Sequence, residues 1–264
     1  MKLKKYLDHF LSQEHDLNNK HDWAWTNHVY SCLYDEQVYY VRVKKAELNP
    51  YEPLLFTYYF KFPHYYNTIT HHLITPRIIT ADDTKINDWY FESLWTFIDD
   101  LQHNEIVNLI AHKRYFDYLQ YVSYAPQDQY QTGFLSFYQS LLEHSPIVLC
   151  HNDLSIFNIL TNQATNLFQV IDFELASYGF INYDIFNFIR CIDSFEQQEF
   201  YVQTISKHLQ MDLTECFRYM FFVNYFAYTW AIYQTKVLKK DFVIPYIKQT
   251  YNQFIYWWNK IDKQ

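Results

Sequence analysis

Two short segments hold the residues whose types and spacing could do chemistry. The first is Val148-Leu149-Cys150-His151-Asn152-Asp153-Leu154, with Asn158 following five residues after Asp153. The second is Ile171-Asp172-Phe173-Glu174, whose Asp172 lies fourteen residues beyond Asn158. Both aspartates sit in apolar runs, and an isolated buried charge is very costly, so each must be paired, hydrated or bound to a metal. Between the segments, Ile159-Leu160-Thr161 and Phe168-Gln169-Val170-Ile171 are β-type runs separated by the polar turn Asn162-Gln163-Ala164-Thr165-Asn166, a pattern that predicts a β-hairpin. A hairpin returns the chain to its start, so Asn158 and Asp172 are expected side by side. An amide oxygen beside a carboxylate suits Mg2+, a hard cation that takes few protein oxygens and keeps phosphate oxygens as partners. Asp153 is then the free carboxylate, able to orient a hydroxyl and accept its proton.

Composition narrows the class of protein that carries these residues. The 264-residue chain is 50% apolar and 19% charged, which is a globular rather than a disordered balance. Its length allows one or two domains and a sizeable core. The net charge of −8 disfavours nucleic acid as a partner, since that affinity rests on Lys and Arg meeting phosphates. It suits a small cationic substrate. Cys32, Cys150, Cys191 and Cys216 are widely spaced and contain no CxxC, so neither a zinc site nor a disulfide framework is indicated. The amphipathic start MKLKKYLDHFLSQEHD lacks the apolar core of a signal peptide, and no apolar run reaches membrane-spanning length. A cytoplasmic protein with no membrane insertion is expected, as a monomer or homodimer.

The elements that must position the two segments can be read from periodicity. Leu3, Tyr6, Leu7, Phe10 and Leu11 predict an N-terminal helix. Trp23 to Tyr30 and Val38 to Val43, around a turn at Tyr34 to Gln37, predict a hairpin, and a second hairpin is expected to end at Trp89-Tyr90-Phe91. Strand-like periodicity gives way to helix-like periodicity near residue 95. Helices are expected at about 104–122, 132–143, 195–208, 212–236 and 241–260. The 22% aromatic content, with 27 Tyr and 23 Phe, means that most aromatic side chains are expected to be core.

HNDxxxxN, then IDFE, then Tyr183-Asp184-Ile185-Phe186-Asn187-Phe188 resembles the choline/ethanolamine kinases. More broadly it is similar to the aminoglycoside phosphotransferase superfamily, which shares the protein-kinase-like fold. The resemblance implies an α+β, two-lobed fold: a small β-containing N-lobe over residues 1–94 and a mostly helical C-lobe over 95–264, with ATP and Mg2+ in the cleft. It makes Asp153 the catalytic base, Asn158 and Asp172 the Mg2+ ligands, His151 a brace for the loop, and Asp184 a support for it. Thr26 and Asn27 match the end of the family's Gly-Gly-x-Thr-Asn nucleotide loop, but Trp23 and Ala24 stand where its glycines would be. Glycines let backbone N–H groups approach phosphates closely, and a Trp cannot do so in the same way. Arg42 matches the basic residue that meets the nucleotide phosphates, and Glu52 its partner on the following helix.

For the acceptor, the resemblance points to the Trp230-Ala231-Ile232-Tyr233-Gln234 segment, whose aromatic faces would hold an ammonium group. Trp230 matches one Trp of that segment, and Ala227 takes the place of the other. Leu175 stands where a Tyr is frequent, and Cys191 where eukaryotic members carry a substrate-facing Glu. Tyr178, Tyr183 and Tyr228 are the candidate replacements. The implied activity is transfer of the ATP γ-phosphoryl group to the hydroxyl of a small amino alcohol, choline or ethanolamine. Two alternatives stay open: another small-molecule kinase of this fold, acting on an aminoglycoside or thiamine, and a catalytically silent kinase-like binding protein.

Overall fold

The computed structural model describes residues 20–21, 27–34, 37–44, 49, 51–62, 64–66, 73–78, 80, 86–104 and 113–261. The expected N-terminal helix, Trp23, Ala24 and Thr26 lie outside them. The chain divides into two compact units, the first formed by 1–86 with 159–174, the second by 87–158 with 175–264.

The first unit is built on an antiparallel sheet of β1 (Lys20–His21), β2 (Asn27–Tyr34), β3 (Gln37–Lys44), β4 (Tyr65–Tyr66) and β5 (Leu73–Pro76), in the order β1-β2-β3-β5-β4. The expected hairpin is β2–β3, closed by Tyr34 opposite Gln37. Strand periodicity turns Val41 of β3 fully inward. Helix α1 (Glu52–Tyr59) follows, with Pro53 in its first turn, where a missing N–H costs nothing. Its Leu55 and Phe56 are buried, and Phe56 stacks on Phe60 at 4.4 Å.

The later segment 159–174 contributes the hairpin predicted between the two chemical motifs. Strand β7 (Ile159–Asn162) pairs with β8 (Leu167–Val170), Ile159 opposite Val170. Asn162 caps the single 3-10 turn between them through Thr165, and Asn166 closes it in the left-handed conformation (φ 51°) that Asn tolerates. Gln169 ties this hairpin to α1. Its amide donates to the Tyr59 carbonyl at 3.0 Å and accepts from the Lys61 N–H at 3.0 Å.

The second unit begins with α2 (Asp88–His103). Trp89-Tyr90-Phe91, expected to close a hairpin, is instead its first turn. The side chain of Asn87 accepts from the Tyr90 N–H, which starts a helix, and Leu94, Phe97, Ile98 and Leu101 then form one buried helical stripe. The expected helix at 104–122 is also absent over the described residues 113–121. There the chain runs extended beside Tyr178, to which Phe116 donates a backbone hydrogen bond, and then turns. Helix α3 (Gln129–His144) is capped by Asp128. Strand β6 (Ile147–Cys150) pairs antiparallel with β9 (Ser177–Phe180). The remaining helices are α4 (Tyr183–Arg190), α5 (Phe195–Leu209), α6 (Leu213–Lys236) and α7 (Ile244–Ile261).

Helix α6 is apolar and aromatic nearly all round, as a helix at the centre of a bundle must be. Phe222 stacks on Phe134 at 4.6 Å, and Tyr219 on Phe186 at 4.8 Å. Such ring pairs add about 0.5–1.5 kcal/mol each beyond the area they bury. The aromatic richness of the sequence is therefore spent largely on core. No helix among the described residues is long and apolar enough to cross a membrane.

Candidate active site

The His151–Asn158 loop leaves the end of β6 and is held from several sides. Helix α4 begins with Tyr183-Asp184, and the buried Asp184 carboxylate accepts the backbone N–H groups of His151 (2.6 Å) and Asn152 (2.8 Å). Burial raises Asp184 to about 7, although these two N–H bonds pull it down. Asn152 adopts a left-handed backbone (φ 62°). Its amide donates to the Ser177 hydroxyl and carbonyl and to the Leu175 carbonyl, and accepts from the Tyr118 hydroxyl. One helical turn beyond Asp184, Asn187 donates to the Leu154 carbonyl at 3.1 Å. Gly179 of β9 makes room for this packing, since a Cβ there would lie 2.3 Å from the Tyr118 hydroxyl and 2.9 Å from Asn152 Oδ1.

At the centre of the loop stands Asp153, partly exposed. Its N–H donates to Nδ1 of the fully buried His151 at 3.3 Å. Asn158 Nδ2 donates to Asp153 Oδ2 (3.0 Å) and to its carbonyl (2.8 Å). That choice of donor leaves Asn158 Oδ1 without a hydrogen-bond partner among the described residues. The side chain is thus a clamp on the aspartate at one end and an oxygen donor at the other.

Asp172 and Arg42 meet within the first unit. Arg42 on β3 donates from Nη1 to Asp172 Oδ1 at 2.9 Å and from Nη2 to the fully buried Glu52 of α1. Burial would lower the Arg42 guanidinium, but Glu52 and Asp172 beside it raise it above its ordinary value. Asp172 follows two residues after β8 and takes a left-handed backbone (φ 64°). The next residues are tied down: Asn49 donates to the Glu174 carbonyl at 3.0 Å, and Phe173 stacks on Tyr59 at 5.6 Å. Asn27 lies in β2 opposite Lys44. Asn158 directly precedes the first paired residue of the β7–β8 hairpin.

The four aromatic candidates have different surroundings. Trp230 of α6 is partly exposed and meets Tyr246 of α7 edge-on at 6.0 Å. Tyr183 is buried against Tyr118, with Asp153 near enough to disfavour its ionisation after burial itself. Tyr178 already has a cation on its ring, the Lys113 ammonium at 4.6 Å. Tyr228 is buried among Tyr225, Tyr251 and Phe254. Residues that spacing did not single out are Asn49, Asn152, Gly179, Arg190 and Tyr246. An Asn in the middle of an HND triplet, at a sharp turn, was the one signal available for Asn152.

The family model of choline/ethanolamine kinase matches residues 60–257. Over 70 residues the chain is 37% identical to mouse ethanolamine kinase 1, a stretch covering 26% of this chain and 19% of that protein. The crystal structure of choline kinase LicA from Streptococcus pneumoniae superposes with a TM-score of 0.64, at 13% identity, over 97% of this chain and 99% of that one; LicA is also known in complex with AMP. The GDP complex of aminoglycoside 2'-phosphotransferase-IIIa superposes with a TM-score of 0.66, at 16% identity, over 95% and 98% of the two chains. The fold is accordingly the kinase-like α+β fold. The family match reaches well beyond the motifs, through the 63–145 region whose residues the motifs left unspecified, and the chain belongs to the choline/ethanolamine kinase family.

Proposed function

We propose that the protein transfers the γ-phosphoryl group of ATP to the hydroxyl of a small amino alcohol, with choline and ethanolamine as the first acceptors to test. The observation that carries this is the Asp153–Asn158 pair: a part-exposed carboxylate, fixed by an amide whose oxygen remains available, on a loop anchored by a buried aspartate. Asp153 orients the acceptor hydroxyl and takes its proton. The acceptor O–P bond forms as the bond from the γ-phosphorus to the β–γ bridging oxygen breaks, and ADP leaves. Asn158 and Asp172 are the oxygen donors for Mg2+, which when bound neutralises charge on the phosphates. Arg42, aligned by Glu52, adds positive charge for the same phosphates, and Asn27 with Thr26 belongs to the nucleotide loop. His151 and Asp184 hold the loop in shape. Most of the rate enhancement comes from positioning and electrostatics. LicA's complex with AMP and the family match support the nucleotide as cosubstrate.

The test is ATP consumption with Mg2+ against choline, ethanolamine, thiamine, an aminoglycoside and no acceptor. Turnover that requires an acceptor and disappears in Asp153→Ala supports the proposal. Acceptor-dependent turnover surviving in that variant would refute the role of Asp153.

A further inference from the structure

The connection between α6 and α7 turns apolar side chains outward. Val237, Leu238, Phe242 and Ile244 are all exposed, Phe242 at 61%. No other eight-residue stretch of the described chain exposes more than two large apolar side chains, and single ones are ordinary on a protein surface. The connection has a defined shape. The N–H groups of Val237 and Leu238 donate to the Tyr233 carbonyl, and that of Lys240 to the Gln234 carbonyl at 3.1 Å. Lys239 turns the chain with a left-handed backbone (φ 57°). Val243 is fully buried and pins the 3-10 turn Asp241–Val243, while its neighbours Phe242 and Ile244 stay outside.

Lysines accompany this apolar run. Residues 236–251 hold Lys236, Lys239, Lys240 and Lys248 against one acid, Asp241, in a chain whose net charge is −8. The charge of three of them is not compensated inside the protein. Lys236 Nζ donates to the Tyr124 carbonyl at 3.2 Å and Lys239 Nζ to the Lys236 carbonyl at 2.8 Å, both neutral acceptors. Neither these two nor Lys248 forms an ion pair with a described residue. On α7 the exposed Ile244, Lys248 and Tyr251 stand at i, i+4 and i+7, on one helix face, so the mixed apolar and basic character continues along it. Tyr124, also exposed, adds a ring 5.1 Å from Tyr233 at the end of α6.

We infer that the α6–α7 connection docks the protein on an anionic lipid surface. Phe242, Ile244, Leu238 and Val237 enter the boundary between headgroups and acyl chains, and the lysine ammonium groups reach the headgroup phosphates. The attachment is interfacial, since neither α6 nor α7 is apolar enough to cross a bilayer. The two features decide the partner together. Exposed apolar tips alone would suit another protein, and lysines alone a soluble anion. A second copy packed through the same patch would set lysines against lysines with only Asp241 to offset them, and like charges brought together oppose such a contact. None of these residues has a part in the proposed phosphotransfer, so the attachment stands or falls apart from it.

The test is co-sedimentation of the 264-residue protein with vesicles of equal parts phosphatidylcholine and phosphatidylglycerol, and with vesicles of phosphatidylcholine alone. Binding to the mixed vesicles is expected to exceed binding to the neutral ones by about tenfold or more and to weaken steeply as salt is added. Phe242→Ser should weaken it about tenfold, the worth of withdrawing one apolar ring from the acyl boundary. Lys239→Gln combined with Lys248→Gln should weaken it about 25-fold, about fivefold for each lysine near the surface. Lys207→Gln, an exposed lysine on α5, makes the same change in charge elsewhere and should leave binding as it was. All four positions are exposed, so melting temperatures should stay at the wild-type value and separate lost docking from lost folding. Equal binding to both vesicle types, binding to neither, or binding that survives both the Phe242 and the double lysine substitutions would overturn the inference. So would a concentration-dependent dimer in ultracentrifugation that Phe242→Ser abolishes, because the patch would then be a contact between copies.

Discussion

At the scale of single residues, the site separates carboxylates by surroundings. Asp153 keeps contact with solvent and one amide clamp, while Asp184 is sealed under the loop. Replacing Asp153 by Asn keeps the shape and removes the proposed base. It should lower kcat by about 10²–10⁴, the usual worth of a general base, with KM for ATP little changed; steady-state kinetics would check this. Asp184 predicts a pH effect of definite sign. In the folded protein it titrates at about 7, against 3.8 as its ordinary value. Between those limits the folded state holds a proton that the unfolded state has lost, so this group's contribution to stability falls as pH rises from about 4 to about 7 and is flat above. Denaturant melts of wild type and Asp184→Asn should therefore differ by an amount that changes with pH inside that window alone. A parallel offset at every pH from 4 to 8 would contradict it.

Among elements, two packing decisions can be tested. The β6–β9 ladder reaches the His151–Asn158 loop because Gly179 has no side chain, and Tyr118 fills that space while donating to Asn152. Gly179→Ala should cost about 1–3 kcal/mol as an overpacked core site and disorder the loop, giving a lower Tm together with lost activity. In the first unit, β3 and α1 are joined by Arg42 and the fully buried Glu52. Arg42→Met strands that carboxylate and should cost about 3–5 kcal/mol. Adding Glu52→Gln should recover a large part of the loss, because the uncompensated charge disappears. Urea unfolding of the two single variants and the double variant measures this coupling.

For the whole molecule, the first unit is built from two separate stretches of chain. The first unit ends at Ile86, where Asn87 starts a helix, and regains 159–174 from the middle of the second unit's sequence. A fragment ending at residue 94 therefore lacks the hairpin whose Gln169 satisfies Tyr59 and Lys61. That fragment should show the poor amide dispersion of an unfolded chain, whereas one joining 1–94 to 159–174 through a short linker should gain protected amides. The 264-residue chain should be stabilised by ATP with Mg2+ by about 2.7 kcal/mol at a hundred times Kd, and Asp172→Asn should lose the Mg2+-dependent part.

Residue order by itself determined the chemistry-bearing motifs, the β7–β8 hairpin between them and most of the C-terminal helices, because each depends on local spacing and periodicity. It misjudged Trp89 to Phe91, where a single Asn cap outweighs β-rich composition, and 113–121, where pairing with Tyr178 outweighs helical spacing. Nor did it foretell the surroundings of the aromatic candidates. Tyr178 and Tyr228 look like Trp230 in sequence, yet one ring faces Lys113 and the other lies among Tyr251 and Phe254. Only the tertiary structure decided these, along with the burial of Arg190 against Asn187 and Tyr246, with no carboxylate among the described residues in ion-pair contact. Burial and ion pairing are properties of contacts between residues far apart in the chain, and no local pattern encodes which partner is missing.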